Sequence, residues 1–344
     1  MFPFIFFFML TALSIGTITT LSSYHWFLAW MGLEINTLAI IPLMTAIPHP
    51  RAIEAATKYF LTQATASVTL LFSTLINYWL TGEWTISNTH YMSTIMITVA
   101  LTMKLGIAPL HFWMPEVLQG VSLKTGLIIS TWQKIAPMIL IYQLSNNLNL
   151  ELLLLFGIIS ILAGGWGIIN QTELRKMLAY SSIGHLGWTF IILPFNPQLA
   201  LLNFFLYLIM SVAIFSAFNL MSQTKTSELS TSWSSTPTLM SMAMLTLLSL
   251  AGLPPMSGFI PKLLIIFHLT LEKSFMLATL LISISLLATF MYVRLTYFMT
   301  MLLSPNTPIS PTAWRPTVKY NVLFTLTIML SLLLIPILPT IMNI

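Results

Sequence analysis

Of 344 residues, 57 % are hydrophobic and only 6 % charged, too little charge to coat a soluble domain of this size, so the chain reads as an all-α polytopic membrane protein. The formal charge of +5 comes from basic residues scattered without a cluster, which leaves no nucleic-acid footprint. The absence of cysteine excludes disulfides, thiolate metal sites and thiol catalysis.

A spanning helix needs about 20 apolar residues. On that measure the chain divides into eleven transmembrane helices, at about 3–21, 24–46, 54–80, 91–120, 122–144, 150–170, 174–193, 198–222, 238–269, 274–301 and 321–341. The first has no basic n-region and no small-residue cleavage site, so it is expected to stay as a helix and not to be removed as a signal peptide. The second carries Glu34 at its middle, beside Trp30, Gly32 and Leu38.

The fourth is interrupted by Lys104-Leu-Gly106-Ile-Ala-Pro109, followed by His111 and Pro115-Glu116. Lys134 is central in the fifth, and His185 in the seventh, between Gly184 and Gly187. Asn170 and Glu173 suit a capping box ahead of the seventh, and Thr236-Pro237 suits a cap followed by a first-turn proline before the ninth. The ninth is interrupted in its turn by Ala-Gly252-Leu-Pro-Pro255, followed by Pro261-Lys262. A proline-rich linker over 303–316 precedes the last segment.

The two interruptions repeat at a spacing of 146 residues, with Gly106, Pro109, Pro115 and Glu116 in register with Gly252, Pro255, Pro261 and Lys262. Broken backbone at bilayer depth survives only against protein or a water-filled cavity. Paired interruptions in two halves of a chain point to a transport site.

With the N-terminus on one side, that side collects Arg51, Lys58, Lys124, Arg175, Lys176, Lys225, Arg315 and Lys319, and the other only Lys273. The positive-inside rule then puts the N-terminus inside and the C-terminus outside. Broken helices five apart run in opposite directions, so an inverted five-helix repeat plus one C-terminal helix is expected. Residues 1–145 are the first half-repeat, 146–302 the second, and 303–344 the linker and last helix.

An ionisable side chain at the bilayer centre costs about 2.5–3.5 kcal/mol even on lenient scales, and such groups usually mark ion or proton routes. Those expected there are Glu34, Lys104, His111, Lys134, His185 and Lys262. Desolvation favours the neutral form of a lysine and a nearby carboxylate favours the charged one, so a glutamate–lysine pair of variable spacing is a proton switch. Glu34 could serve Lys104 or Lys134. The bland alternatives are ion pairs that hold helices together, a packing role for His185, and interfacial roles for His25, His49, His90 and His268. Arg294 reads as a snorkelling anchor, while Glu116 stays open. Gly164-Gly165-Trp-Gly167 lies in a membrane helix with no strand before it, so close helix packing explains it better than nucleotide binding. No P-loop, zinc-type histidine pair or nucleophile elbow is present.

The run Lys104-Leu-Gly-Ile-Ala-Pro-Leu-His-Phe-Trp-Met-Pro-Glu-Val-Leu-Gln-Gly120 resembles the signature of the proton-translocating, antiporter-like subunits of respiratory complex I, as does Leu250-Ala-Gly-Leu-Pro-Pro-Met-Ser-Gly-Phe-Ile-Pro-Lys262. Arg51-Ala-Ile-Glu-Ala-Ala-Thr-Lys-Tyr-Phe60, the Gly164 cluster and the stretch from Asn170 to Ser182 extend the likeness over nearly the whole chain. The resemblance implies a mitochondrial inner-membrane, multi-pass chain, of the animal type that lacks the first three helices of bacterial members. Its N-terminus would face the matrix and its C-terminus the intermembrane space. It implies a relay of a glutamate–lysine pair, a central lysine and a distal lysine, matched here by Glu34, Lys104, Lys134 and Lys262.

It further implies proton translocation as one subunit of an NADH:ubiquinone reductase, beside other membrane-arm and antiporter-like subunits and in contact with lipid. NADH, flavin, iron–sulfur clusters and ubiquinone would then be handled by other subunits, and no cofactor, metal or redox site is expected in this chain. An autonomous cation/proton secondary antiporter would share the broken helices and buried lysines. A structural scaffold would need the helices but not the midplane charges.

Overall fold

The computed structural model describes residues 3–231, 236–301 and 322–333. These fold as helices with no strand among them, in two compact units. One is built on Met1–Ser160 with Leu193–Pro197, the other on Ile161–Ile192 with Gln198–Ile344.

In the first unit, α1 (Pro3–Leu21) and α2 (Trp26–Met44) pack side by side. Their crossing is set by Gly16 and Gly32: a methyl group on Gly32 would lie 2.8 Å from the Gly16 carbonyl oxygen. Small residues let helix backbones approach where lipid supplies no hydrophobic drive. α3 (Pro50–Thr81) starts with a first-turn proline, the His49 ring accepting from the Arg51 N–H at 3.1 Å. It ends on Gly82 at φ 75°, the left-handed cap that glycine reaches without a Cβ penalty. α4 (Tyr91–Leu105) is capped by His90 and ends on Gly106 at φ 73°. The chain resumes helix at α5 (Trp113–Gly120), and the Trp113 indole N–H donates to the Met103 carbonyl at 3.1 Å across the gap. α6 (Leu123–Ser130), α7 (Trp132–Gln143) and the start of α8 (Leu150–Ile168) follow. Trp26, Ile40, Tyr59, Leu70, Ile97 and Leu101 form the centre of this unit.

The second unit takes the rest of α8, then α9 (Leu174–Ile192), α10 (Pro197–Met221) and the short α11 (Thr226–Thr231). α12 (Pro237–Ala251), α13 (Phe259–Leu271), α14 (Phe275–Met301) and α15 (Val322–Leu333) complete it. α12 ends on Gly252 at φ 79°, as α4 does on Gly106, and the Ala108–Pro109 and Pro254–Pro255 peptide bonds are both cis. Phe190, Phe204, Tyr207, Phe215 and Phe218 are its largest fully buried side chains.

Six described helices are long and apolar enough to cross a membrane: α1, α2, α3, α8, α10 and α14. The outward faces of α1, α3 and α14 carry exposed Phe4, Phe7, Val68, Phe72, Met276 and Leu286. Within the helices, hydroxyls bond back to the preceding turn, as Ser73 does to Leu70 at 2.6 Å and Thr98 to Ile95 at 2.7 Å. Such back-bonding satisfies a hydroxyl in an apolar setting without a partner helix.

Three expectations change at this level. The segment at 122–144 is not one helix: it divides at Thr131, with φ −114° and ψ −71°. The Thr131 hydroxyl donates to the Leu127 carbonyl at 2.6 Å, and Pro137 removes a donor from the ladder just beyond. Asn170 does not cap the seventh segment, because α9 begins at Leu174. Residues 172–173 are held extended instead by pairing with 224–226, where Leu174 N–H donates to Thr224 O at 2.9 Å and Thr226 N–H to Thr172 O at 3.0 Å. Thr236 does precede a first-turn Pro237, but its side chain makes no cap bond. The linker over 303–316 and the part of the last segment beyond 333 lie outside the described residues.

Candidate functional site

Each unit holds a small cavity lined by titratable side chains. In the first, Lys104 from the last turn of α4 and Lys134 from the first turn of α7 line the same cavity. Lys104 is 6 % exposed and Lys134 2 %. Apolar helices place them there: α4 ends at Gly106, which puts Lys104 in its last turn. The division at Thr131 likewise puts Lys134 at a helix start. Thr37, Gln63 and Gln133 complete the polar wall, with Tyr59 and Trp113 among the larger side chains.

Glu34 stands close by on α2 without joining the wall. Its carboxylate lies within electrostatic reach of the Lys104 ammonium and of Tyr59. One oxygen accepts from the Thr37 hydroxyl at 3.2 Å, and the other is buried with no hydrogen-bond partner. Lys104 Nζ also has none. The two do not touch as an ion pair. Such pairs among the described residues are Lys58 with Glu54 and with Glu116, each at 2.7 Å and exposed. Buried polar groups without protein partners are rare and call for water or function.

His111, in the stretch between α4 and α5, is buried, stacks on Phe112 at 4.5 Å and bonds to the Pro109 backbone. It is not on the wall of the Lys104–Lys134 cavity.

In the second unit, Lys262 and His185 line one cavity with Tyr180, Tyr292, Ser181 and Ser285. Lys262, from the first turn of α13, turns back so that its Nζ donates to the Ala251 carbonyl at 2.7 Å, the last residue of α12. The free carbonyls of a helix C-terminus carry partial negative charge, so a cation is favoured there. His185 stacks on Tyr207 at 5.5 Å, and the Tyr207 hydroxyl is hydrogen-bonded to Ser182 and Ser211. Gly164 and Gly184 bring α8 and α9 together on this wall, the close packing that the glycine cluster suggests.

The structure thus brings Lys104 and Lys134 together in one unit, with Glu34 near Lys104, and His185 with Lys262 in the other. Glu116, in register with Lys262, is exposed and paired with Lys58. Arg294 is exposed, its guanidinium 5.4 Å from the Phe298 ring centre. His49 and His90 cap helices, and His25 stacks on Trp84. Sequence reasoning gave no role to Gln63, Gln133, Tyr59 or Tyr292. A neutral amide or phenol in an apolar run carries no charge to mark it.

Comparison with known proteins places these features in context. The family model described as "NADH:quinone oxidoreductase/Mrp antiporter, TM" matches residues 23–290. The chain is 59 % identical to NADH-ubiquinone oxidoreductase chain 2 of Aquarana catesbeiana over 97 % of both chains, and 56 % identical to that of Xenopus laevis over 98 % of both. Its fold superposes on a chain of respiratory complex I from Thermus thermophilus with a TM-score of 0.83 and 25 % identity, covering 98 % of this chain and 80 % of that one. A chain of the Mrp complex from a Dietzia species shares the fold at a TM-score of 0.80 and 19 % identity, over 87 % of this chain and 61 % of that one.

Proposed function

The chain belongs to the NADH:quinone oxidoreductase/Mrp antiporter membrane family, and from that premise we propose that it is a membrane-arm subunit of respiratory complex I that moves protons across the mitochondrial inner membrane. It works beside other antiporter-like subunits, and NADH oxidation and ubiquinone reduction take place on other chains. It spans the membrane eleven times, with the interruptions at Gly106–Pro109 and Gly252–Pro255 related by an inverted repeat and the N-terminus on the matrix side.

The proton route is the line of Glu34, Lys104, Lys134, His185 and Lys262. The observation that carries this reading is the shared cavity of Lys104 and Lys134, with the Glu34 carboxylate nearby but not in contact. Burial costs an ammonium its hydration, so a lysine there holds its proton only while a carboxylate or water compensates. Moving Glu34 toward Lys104 favours the charged lysine. Moving it away favours passing the proton on to Lys134. His111 lies beside the break and His185 beside Lys262; these are the candidates for linking the row to either side of the membrane.

The test is to replace Lys134 or Lys262 by methionine, which keeps the apolar stem and removes the titrating group. Proton translocation per assembled complex is expected to fall at least about tenfold, in line with the loss of a positioned acid–base group. Normal translocation in a fully assembled variant would leave the lysines a structural role only. Recovery of the active chain alone, outside any larger assembly, would favour an autonomous antiporter instead.

A further inference from the structure

The wall between Lys104 and Lys134 contains two groups to which the relay reading assigns nothing. Gln63, on α3, is only 4 % exposed, lines the cavity, and its Nε2 is buried without a hydrogen-bond partner. Gln133, on α7, is tied to α2: its Nε2 donates to the Asn36 carbonyl at 3.0 Å. The Thr37 hydroxyl and the Trp113 N–H on the wall are already engaged. The first bonds to the Glu34 backbone and carboxylate, the second to Met103 O.

Burying a carboxamide without partners is costly, and a methionine or leucine would fill the same place on α3 without that cost. The titratable nitrogens on the wall are those of the two lysines, which when charged are donors only. An amide offers a donor and an acceptor on one planar group and does not titrate. It can therefore orient a bridging water between two ammonium sites without holding the proton itself.

We propose that Gln63, with Gln133 on the wall of the same cavity, is a positioning residue for proton transfer between Lys104 and Lys134, ordering the hydrogen-bonded bridge across this cavity. This rests on the relay reading above and adds residues to it. Gln133 sets one end through its tie to α2, and Gln63 supplies the adjustable end.

Gln63→Leu, Gln63→Glu and Lys134→Met would each be made in the full complex, reconstituted in vesicles. Proton translocation per assembled complex and its pH profile would be recorded for each. Gln63→Leu is expected to lower translocation about five- to tenfold, the worth of one hydrogen bond, while assembly is unchanged. Gln63→Glu keeps shape and bonding but adds a titrating carboxyl, so its pH profile is expected to gain a limb that the unaltered protein lacks.

Gln63→Glu decides the matter where Gln63→Leu fails to assemble. An unaltered pH profile in assembled Gln63→Glu, or unaltered translocation in assembled Gln63→Leu, overturns the proposal. If that happens while Lys134→Met abolishes translocation, only the role of Gln63 is lost. Normal translocation in Lys134→Met removes the relay, and this proposal with it.

Discussion

A glycine in the left-handed region accepts a methyl group at a backbone cost, and what else it costs depends on the space beside it. Gly82 and Gly252 separate the two terms. Their φ angles are 75° and 79°, yet nothing lies within 4 Å of a Cβ on Gly82, whereas one on Gly252 would meet Lys262 Nζ at 2.8 Å. Gly82→Ala should cost about 1 kcal/mol through backbone strain alone and leave proton translocation intact. Gly252→Ala should add the displacement of the Lys262 ammonium from the Ala251 carbonyl and reduce translocation as well as thermal stability of the assembled complex. Equal translocation in the two variants would show that the seat of Lys262 does not matter. At this scale the candidate positions were legible wherever they carried charge: Glu34, Lys104, Lys134 and Lys262 stand out in apolar runs. Gln63 and Gln133 did not, because an amide in such a run is not marked until its surroundings are known.

Helix contacts obey a similar asymmetry. A Cβ on Gly164 would press on the Gly184 backbone at 2.8 Å, whereas one on Gly184 would meet Gly164 Cα at an ordinary 3.9 Å. Gly164→Ala should therefore force α8 from α9 at a cost of about 1–3 kcal/mol, while Gly184→Ala should be tolerated. Denaturation midpoints of the assembled complex would check this, and the reverse order would mean that the helices repack freely.

Between α10 and α12 a carboxylate orders the turn. Glu228 Oε2 accepts from the Thr224 and Lys225 N–H groups at 2.9 and 3.1 Å, and these bonds, chiefly that from Thr224, hold its carboxyl below the usual carboxylate range. A depressed folded value means that the stabilisation is present above the unfolded value and is lost as pH falls through the folded one. Amide exchange at Thr224 and Lys225, corrected for intrinsic rate, should lose protection in that acid window. Glu228→Gln should weaken it already at neutral pH, and protection unchanged in the variant would contradict the assignment. The helix ends at Gly106 and Gly252 were readable because glycine and proline act locally. The division at Thr131 was not, since it needs a threonine bonding backward and a proline six residues later, each common within an unbroken membrane helix.

Over the whole molecule, the distribution of lysine and arginine predicts sidedness, and the lack of cysteine makes it measurable without background. A single cysteine in place of Lys225 should be labelled by an impermeant reagent only from the matrix side, and one in place of Lys273 only from the other. Labelling of both from one side would break the count of spans between them. The helical membrane class was legible from composition because so few charges cannot coat a water-facing surface. The boundary between the two compact units was not readable at residue 160, because it falls inside α8, an apolar helix with no composition change there. The exposed phenylalanines of α1 look alike in sequence whether lipid or protein covers them.

The bond from Lys262 to Ala251 closes a ring within a single stretch of chain, from the last carbonyl of one helix to the first turn of the next. A charge seated by its own segment needs no neighbouring helix to be aimed. Twelve consecutive residues, Ala251 to Lys262, therefore form a portable cassette that carries interruption and charge together. Lys104 has no such seat and depends on α2, α3 and α7 for its surroundings. Changes in those helices should disturb Lys104 far more than equivalent changes around α12 disturb Lys262, so the two lysines tolerate remodelling of their neighbours unequally.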